Sequence, residues 1–289
     1  MAAHRDARVA MEYFISKIAR TTWVQNIKSR SLEENLDLLR TEMQELDSWQ
    51  TDVIIALHTA KVADGKTPKA EIWESLMDHE VRIIGVYGME GVGKTTIMTQ
   101  MYNRIKSSKI FGIAIWVTVS NDFSIEKLQN LIAQEIKLEL SYEKDEIRRS
   151  MKLFQALKRR KKFVIILDDM WKPFPFEKVG IPEGNTNKIV LTTRSKNVCR
   201  GMGCQKKFEV EVLSREEAWE LFKERLGADV VLSPEVERIA KLVTEECGSL
   251  PLRIITIARA MREKNDIREW RNALEELKCS TMEIECMDD

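Results

Sequence analysis

Gly88-Met89-Glu90-Gly91-Val92-Gly93-Lys94-Thr95-Thr96 has the residue types and the spacing of a polyphosphate cradle, G-x-x-x-x-G-K-[ST]. Gly88, Gly91 and Gly93 permit backbone angles and close approaches that a side chain forbids. The N–H groups of the loop, that of Val92 among them, can then aim at phosphate oxygens with a helix N-terminus behind them. In this reading Lys94 reaches the β- and γ-phosphates, the Thr95 hydroxyl ligates Mg²⁺ and Thr96 meets the α-phosphate. Average residue usage gives a chance match of about one in a hundred for a chain this long. The competing reading is a glycine-rich turn with no ligand. The expectation is a purine nucleoside di- or triphosphate held with Mg²⁺.

Two further groups of residues belong to the same chemistry. Phe163-Val164-Ile165-Ile166-Leu167 is an apolar run ending in Asp168-Asp169, which places carboxylates where a bound metal would sit. Asp168 is expected to hold Mg²⁺ through water, and Asp169 to position or deprotonate an attacking water. Charged strand ends are common, so this pair gains weight only downstream of the phosphate loop. Leu191-Thr192-Thr193-Arg194 ends a second apolar run. A planar, permanently charged guanidinium suits γ-phosphate recognition, although spacing alone leaves Arg194 equally readable as a surface arginine.

Positioning these residues requires alternating strands and helices. Strands are expected at 81–87, 113–119, 163–167 and 188–191, and helices at 94–105 and 125–136. Strands apolar on both faces belong to a parallel sheet covered by helices. After residue 212 the pattern is helical, with helices near 214–226, 233–247, 250–262 and 267–278. Ser214-Arg215-Glu216-Glu217 reads as a capping box, and Ser233-Pro234 as an N-cap followed by proline at the first helical position. Upstream, Leu32, Leu36, Leu39, Met43, Leu46, Val53 and Leu57 form a heptad stripe on a helix of roughly 45 Å. It reads either as a coiled-coil or bundle-forming signalling element or as a helix packed on its own domain. The division expected is 1–62 helical or coiled-coil, 63–80 linker, 81–212 nucleotide-binding and 213–289 helical. Ile72, Trp73 and Leu76 in the linker are expected to pack on the domain that follows.

Bulk properties narrow the classes. The 289 residues suit about two domains. Lys plus Arg and Asp plus Glu both total 46, which argues against nonspecific nucleic-acid binding as the main role. Lys158-Arg159-Arg160-Lys161-Lys162 could mimic an import or nucleic-acid signal, but cations also suit a helix C-terminus. The five cysteines lack close metal-ligand spacing. With no signal peptide and no apolar run near ~18 residues, a reducing cytoplasmic setting without a transmembrane segment is expected.

With these residues in place, the chain resembles the plant NB-ARC family of intracellular immune receptors, in its coiled-coil class, over roughly residues 25–289. Gly88–Thr96 resembles the family's G-M-G-G-V-G-K-T-T, with Glu90 in place of a glycine and an expected effect on loop flexibility. Phe111–Ser120 resembles the next block. Leu167-Asp168-Asp169-Met170-Trp171 resembles the acidic motif, Thr192-Thr193-Arg194 the block whose arginine senses the γ-phosphate, and Cys247-Gly248-Ser249-Leu250-Pro251-Leu252 the C-G-G-L-P-L motif. The resemblance implies that Pro251 packs against adenine. Ser249 replaces a glycine of that motif, and Arg253 stands where a small residue is usual and is expected to crowd the helix packing. The family's winged-helix domain, its M-H-D motif and its leucine-rich repeats are absent from the sequence. A truncated member, a fragment and an incomplete gene model are all compatible with that.

The resemblance implies a P-loop NTPase α/β fold and an ADP/ATP-dependent switch in plant defence that assembles through its N-terminal helices. Two rival readings stay open. One is an NTPase whose turnover is the point, dependent on Asp169. The other is an adaptor pairing through residues 31–60 with related receptors, which expects association to survive Lys94→Ala and to be lost with charges at Leu39 and Leu46.

Overall fold

The computed structural model describes residues 68–285 apart from 120–122, 161, 185, 228–229, 263 and 265, with side chains as far as Cys279. The heptad stripe and the rest of the 1–62 region lie outside the described residues.

Strand β1 (Ile83–Tyr87) is apolar and buried along its whole length, and it runs directly into the glycine loop. Helix α1 (Pro68–Met77) precedes it and buries Ile72 and Leu76. The Arg104 guanidinium lies 3.8 Å from the centre of the α1 Trp73 ring. The glycine loop leads into α2 (Lys94–Ser108), followed by β2 (Ile113–Thr118), α3 (Ile125–Glu135), α4 (Glu146–Lys158), β3 (Phe163–Met170) and α5 (Phe176–Val179). Then come β4 (Lys188–Thr193), α6 (Lys196–Gly201) and β5 (Lys206–Glu209). All pairings are parallel, in the order β2-β3-β4-β1-β5. Parallel strands need crossovers, and the helices supply them.

The core beneath the sheet is formed by Ile165, Leu167, Ile189 and Leu191 of the central strands with Leu128, Ile132, Leu153 and Leu157 of α3 and α4. The strand order puts β1 inside the sheet, so the loop at its C-terminal end opens where ligands of open α/β sheets bind.

Several elements exceed or escape the expectation, the short helices α5 and α6 and the last two residues of β4 among them. β3 continues three residues beyond Leu167 through a bulge. β5 was not expected: Lys206-Lys207-Phe208-Glu209 is short and largely exposed, the composition of a protected edge rather than of a buried strand. α4 was also missed. Its Arg149, Leu153 and Leu157 are buried while Ile147, Met151 and Phe154 are exposed. The basic run ends α4, where Arg160 donates to the carbonyls of Ala156 and Ile136 at 2.9 Å each.

A second compact unit begins at Leu213. It consists of α7 (Arg215–Leu226), α8 (Pro234–Glu246), α9 (Pro251–Ala260) and α10 (Ile267–Glu285). Ser214 and Glu217 form the expected capping box, Glu217 N–H donating to Ser214 Oγ at 3.2 Å and Ser214 N–H to Glu217 Oε2 at 2.9 Å. Ser233 caps α8, with Pro234 first in the helix. Trp270 is fully buried near Phe222 and donates its indole N–H to the Lys264 carbonyl at 2.9 Å.

Candidate phosphate-binding site

The loop is shaped from β1 outward. Gly88 N–H donates to the Thr193 carbonyl at 3.3 Å, and a Cβ at Gly88 would collide with the Val210 carbonyl oxygen. Only glycine fits between the flanking strands there. Gly93 holds the N-cap of α2 at φ 100°, a left-handed conformation, and no side chain caps the helix. The first N–H groups of α2, those of Lys94, Thr95 and Thr96, therefore have no capping side chain in the loop mouth, the arrangement that receives an anion. Gly91 also has positive φ, and Val92 is wholly buried, anchoring the loop to the core.

Lys94 folds back over this mouth. Its ammonium donates to the carbonyls of Gly88 at 2.8 Å and Met89 at 2.7 Å. Burial pushes its pKa down to about 8. The Arg194 guanidinium acts in the same direction, and the carboxylates of Asp169, Glu90 and Asp168 oppose it.

Asp168 and Asp169 part company at the bulge. Leu167 pairs with Leu191, but the next pair is Met170 with Thr193, so two residues of β3 face one of β4. Asp169 takes φ 57°, which aspartate tolerates better than most residues. Asp168 is buried, and it accepts from Thr95 Oγ1 at 3.1 Å on both carboxylate oxygens and from Thr192 Oγ1 at 2.7 Å. Burial raises its pKa, and the two threonine hydroxyls pull it back. Asp169 points elsewhere. Its carboxylate accepts from Trp171 Nε1 at 3.2 Å and lies 3.8 Å from Arg194 Nε.

Arg194 stands just past β4 with its guanidinium 4.4 Å from the centre of the Trp171 ring. Its NH1 ion-pairs with Glu90 Oε2. Glu90 was expected to affect flexibility; the structure gives it a partner instead. The loop, Asp168, Asp169 and Arg194 therefore converge on one end of the sheet. Sequence reasoning missed Thr192, whose hydroxyl accepts from Asp169 N–H at 2.8 Å while donating to Asp168. A buried threonine closing an apolar strand was its only signal.

The residues present fit a divalent cation. Thr95 and Asp168 offer hard oxygen donors side by side, and three carboxylates (Glu90, Asp168, Asp169) surround two cations (Lys94, Arg194).

Pro251 lies in the second unit. It is buried at the first position of α9. Ser249, two residues before it, takes φ 56° where the C-G-G-L-P-L pattern has glycine. Arg253 is half-buried beside Gly248 rather than wedged into the helix packing.

Comparison with known proteins follows the same lines. A family model described as "NB-ARC domain" matches residues 65–230. The "Probable disease resistance protein At1g52660" of Arabidopsis thaliana is 34% identical over 290 residues, covering 92% of this chain and 77% of the relative. The "Putative disease resistance protein At3g15700" of the same plant is 42% identical over 211 residues, covering 70% of this chain and 56% of the relative. Other curated relatives are far longer: the chain spans 24% of the "Probable disease resistance protein At5g43730", which is 39% identical over 208 residues and 70% of this chain. Among solved structures, the Aeropyrum pernix ORC2 protein in ADPNP–ADP complexes superposes with TM-score 0.54 at 14% identity, over 75% of this chain and 68% of that one. The Walker-type ATPase of Pyrococcus abyssi gives TM-score 0.52 at 13% identity, over 78% and 75%. At such identities the likeness shows the fold, a P-loop NTPase α/β sheet.

Proposed function

Because the chain belongs to the NB-ARC family, we propose that it is an adenine-nucleotide-binding protein of plant defence that works as an ADP/ATP switch rather than as a turnover enzyme. The observation that carries nucleotide binding is the convergence at one loop mouth of an uncapped helix N-terminus, the Lys94 ammonium and the Thr95–Asp168 pair. In this reading the backbone N–H groups from Gly88 to Thr96 hold the phosphates. Lys94 leaves the Gly88 and Met89 carbonyls for phosphate oxygens, and Thr96 bonds the α-phosphate. Thr95 and Asp168 hold Mg²⁺, which when bound disperses charge on the terminal phosphates. Arg194 reads the γ-phosphate. The adenine reading, with Pro251 against the base, rests on the family resemblance, as do the defence role and the cytoplasmic setting. Among the described residues no helix is long and apolar enough to cross a membrane.

A switch needs a ligand with different affinities for two states. ADP favouring a closed state and ATP an open one meets that requirement. Self-association through the N-terminal helices completes the proposal, carried by the heptad stripe alone. The test is binding of ADP and ATP with Mg²⁺ to the wild type and to Lys94→Ala. Loss of binding on substitution is expected, and equal binding by both proteins overturns the assignment of the loop.

Slow hydrolysis is the second reading. Asp169 is the residue for it, but its carboxylate is already engaged by Trp171 and Arg194 and would have to turn from them to reach a water. Multiple turnovers per minute, abolished by Asp169→Ala, would replace the switch reading with an NTPase reading.

A further inference from the structure

Glu90 is the one acidic residue of the phosphate loop, and it reaches across to Arg194, 104 positions away in sequence. The pair is partly desolvated, with 17% of the Arg194 side chain and 34% of the Glu90 side chain exposed, so it is screened less than a surface ion pair. The guanidinium also lies over the Trp171 ring, which helps to hold it in place. Among the described non-glycine residues, positive φ is confined to Lys109, Lys137, Asp169 and Ser249. Residue 90 therefore carries its side chain without backbone strain.

We propose that Glu90 is a built-in competitor for the terminal phosphate, occupying Arg194 so that the site favours a nucleoside diphosphate over a triphosphate. The inference rests on the reading of Gly88–Thr96 as the phosphate site and of Arg194 as the residue facing the third phosphate. A diphosphate uses the loop N–H groups and Lys94, and the Glu90–Arg194 pair survives its binding. A triphosphate brings a second anion to the same guanidinium. Glu90 must then give up its partner and remain, as an unpaired carboxylate, beside a phosphate of like charge. Specificity of this kind arises from a repulsive element set against the wrong ligand. Asp169 adds to it, because it lies on the Nε side of the same guanidinium. A glycine at position 90 would leave Arg194 open to the phosphate.

The experiment titrates the full chain, freed of bound nucleotide, with Mg²⁺·ADP and with the Mg²⁺ complex of the β,γ-imido analogue of ATP. Wild type, Glu90→Gln and Glu90→Ala are compared by calorimetry, with thermal melts to verify that each is folded. Both variants are expected to shift the ratio of the two dissociation constants by roughly tenfold toward the triphosphate analogue, with ADP affinity held within about twofold. An unchanged ratio, or a shift toward ADP in either folded variant, overturns the inference while leaving the phosphate site standing. Failure of the folded wild type to bind either nucleotide overturns the phosphate site itself, and this inference with it.

Discussion

At the scale of single residues, the site is a set of charges held ready by neighbours of the opposite kind. Lys94 shows the consequence most directly. Its ammonium rests on two carbonyls in a buried position, with Arg194 nearby, and its pKa falls to about 8. Nucleotide phosphates favour the charged form, so binding raises that pKa and takes up a proton. A group whose pKa is higher in the bound state supports binding fully below its free-state value and loses that support as pH rises through it. Nucleotide affinity is therefore expected to be flat from about pH 6.5 to about pH 7.5 and to weaken as pH rises through about 8. Calorimetry in two buffers of different ionisation enthalpy reads the proton uptake. Equal heats in both buffers near the free-state pKa would show that Lys94 is not the group being charged.

At the scale of elements, some of this arrangement was legible in the sequence and some was not, for physical reasons. β1, the loop and α2 were legible because glycine spacing and an unbroken apolar strand leave little else for that stretch to become. The bulge in β3 was not. Nothing in Leu167-Asp168-Asp169-Met170 announces that two residues will oppose one, yet that bulge sends Asp168 to Thr95 and Asp169 to Trp171 and Arg194. α4 buries Arg149 beside Leu153 and Leu157 while its apolar Ile147, Met151 and Phe154 face solvent, so its inward face is not the one its apolar residues alone mark. The Arg149 guanidinium satisfies Gln129 Oε1 at 2.9 Å, the Leu140 carbonyl at 3.2 Å, the Glu143 carbonyl at 3.0 Å and Asn130 Oδ1. A polar network of that kind leaves no mark in the spacing of apolar residues. The Glu90–Arg194 pair was invisible for another reason: it joins two loops that only the finished sheet brings together. The turn before α9 lies between these cases. The sequence marks Ser249 as a departure from glycine, and the structure explains what glycine would do there. Position 249 takes φ 56° and its carbonyl accepts from Leu213 N–H at 3.1 Å. A left-handed L-residue costs roughly 1–2 kcal/mol, which the greater chain entropy of glycine partly offsets. Ser249→Gly is expected to stabilise the protein by about 0.5–1 kcal/mol, raising the melting midpoint by a few degrees. A lower midpoint would mean that the serine hydroxyl does more for the turn than the backbone loses.

At the scale of the whole molecule, ligand binding and folding are linked. A sheet whose inner strand β1 ends in the phosphate loop is stabilised by whatever the loop holds, since the unfolded chain has no such cradle. The loop is locked to the sheet through Gly88 N–H on Thr193 and Val210 N–H on Tyr87, so losing the sheet means losing the site. Free ligand at one hundred times its dissociation constant adds about 2.7 kcal/mol to stability. For a domain of this size that corresponds to a rise of roughly 5–10 °C in the melting midpoint. Mg²⁺·ADP titrated into the wild type is expected to raise the midpoint continuously with the logarithm of its concentration. Lys94→Ala should melt at a midpoint unmoved by the same titration, because Lys94 is held by loop carbonyls in the free protein and is charged in the bound one. Asp168→Asn keeps a hydrogen-bonding partner for Thr95 and Thr192 while removing the charge for the metal. Its ADP-induced rise should be smaller with Mg²⁺ present and match that of the wild type when EDTA is added. If Asp168→Asn responds to Mg²⁺·ADP as fully as the wild type does, the carboxylate at the end of β3 is a structural acceptor for two threonines and not a metal ligand.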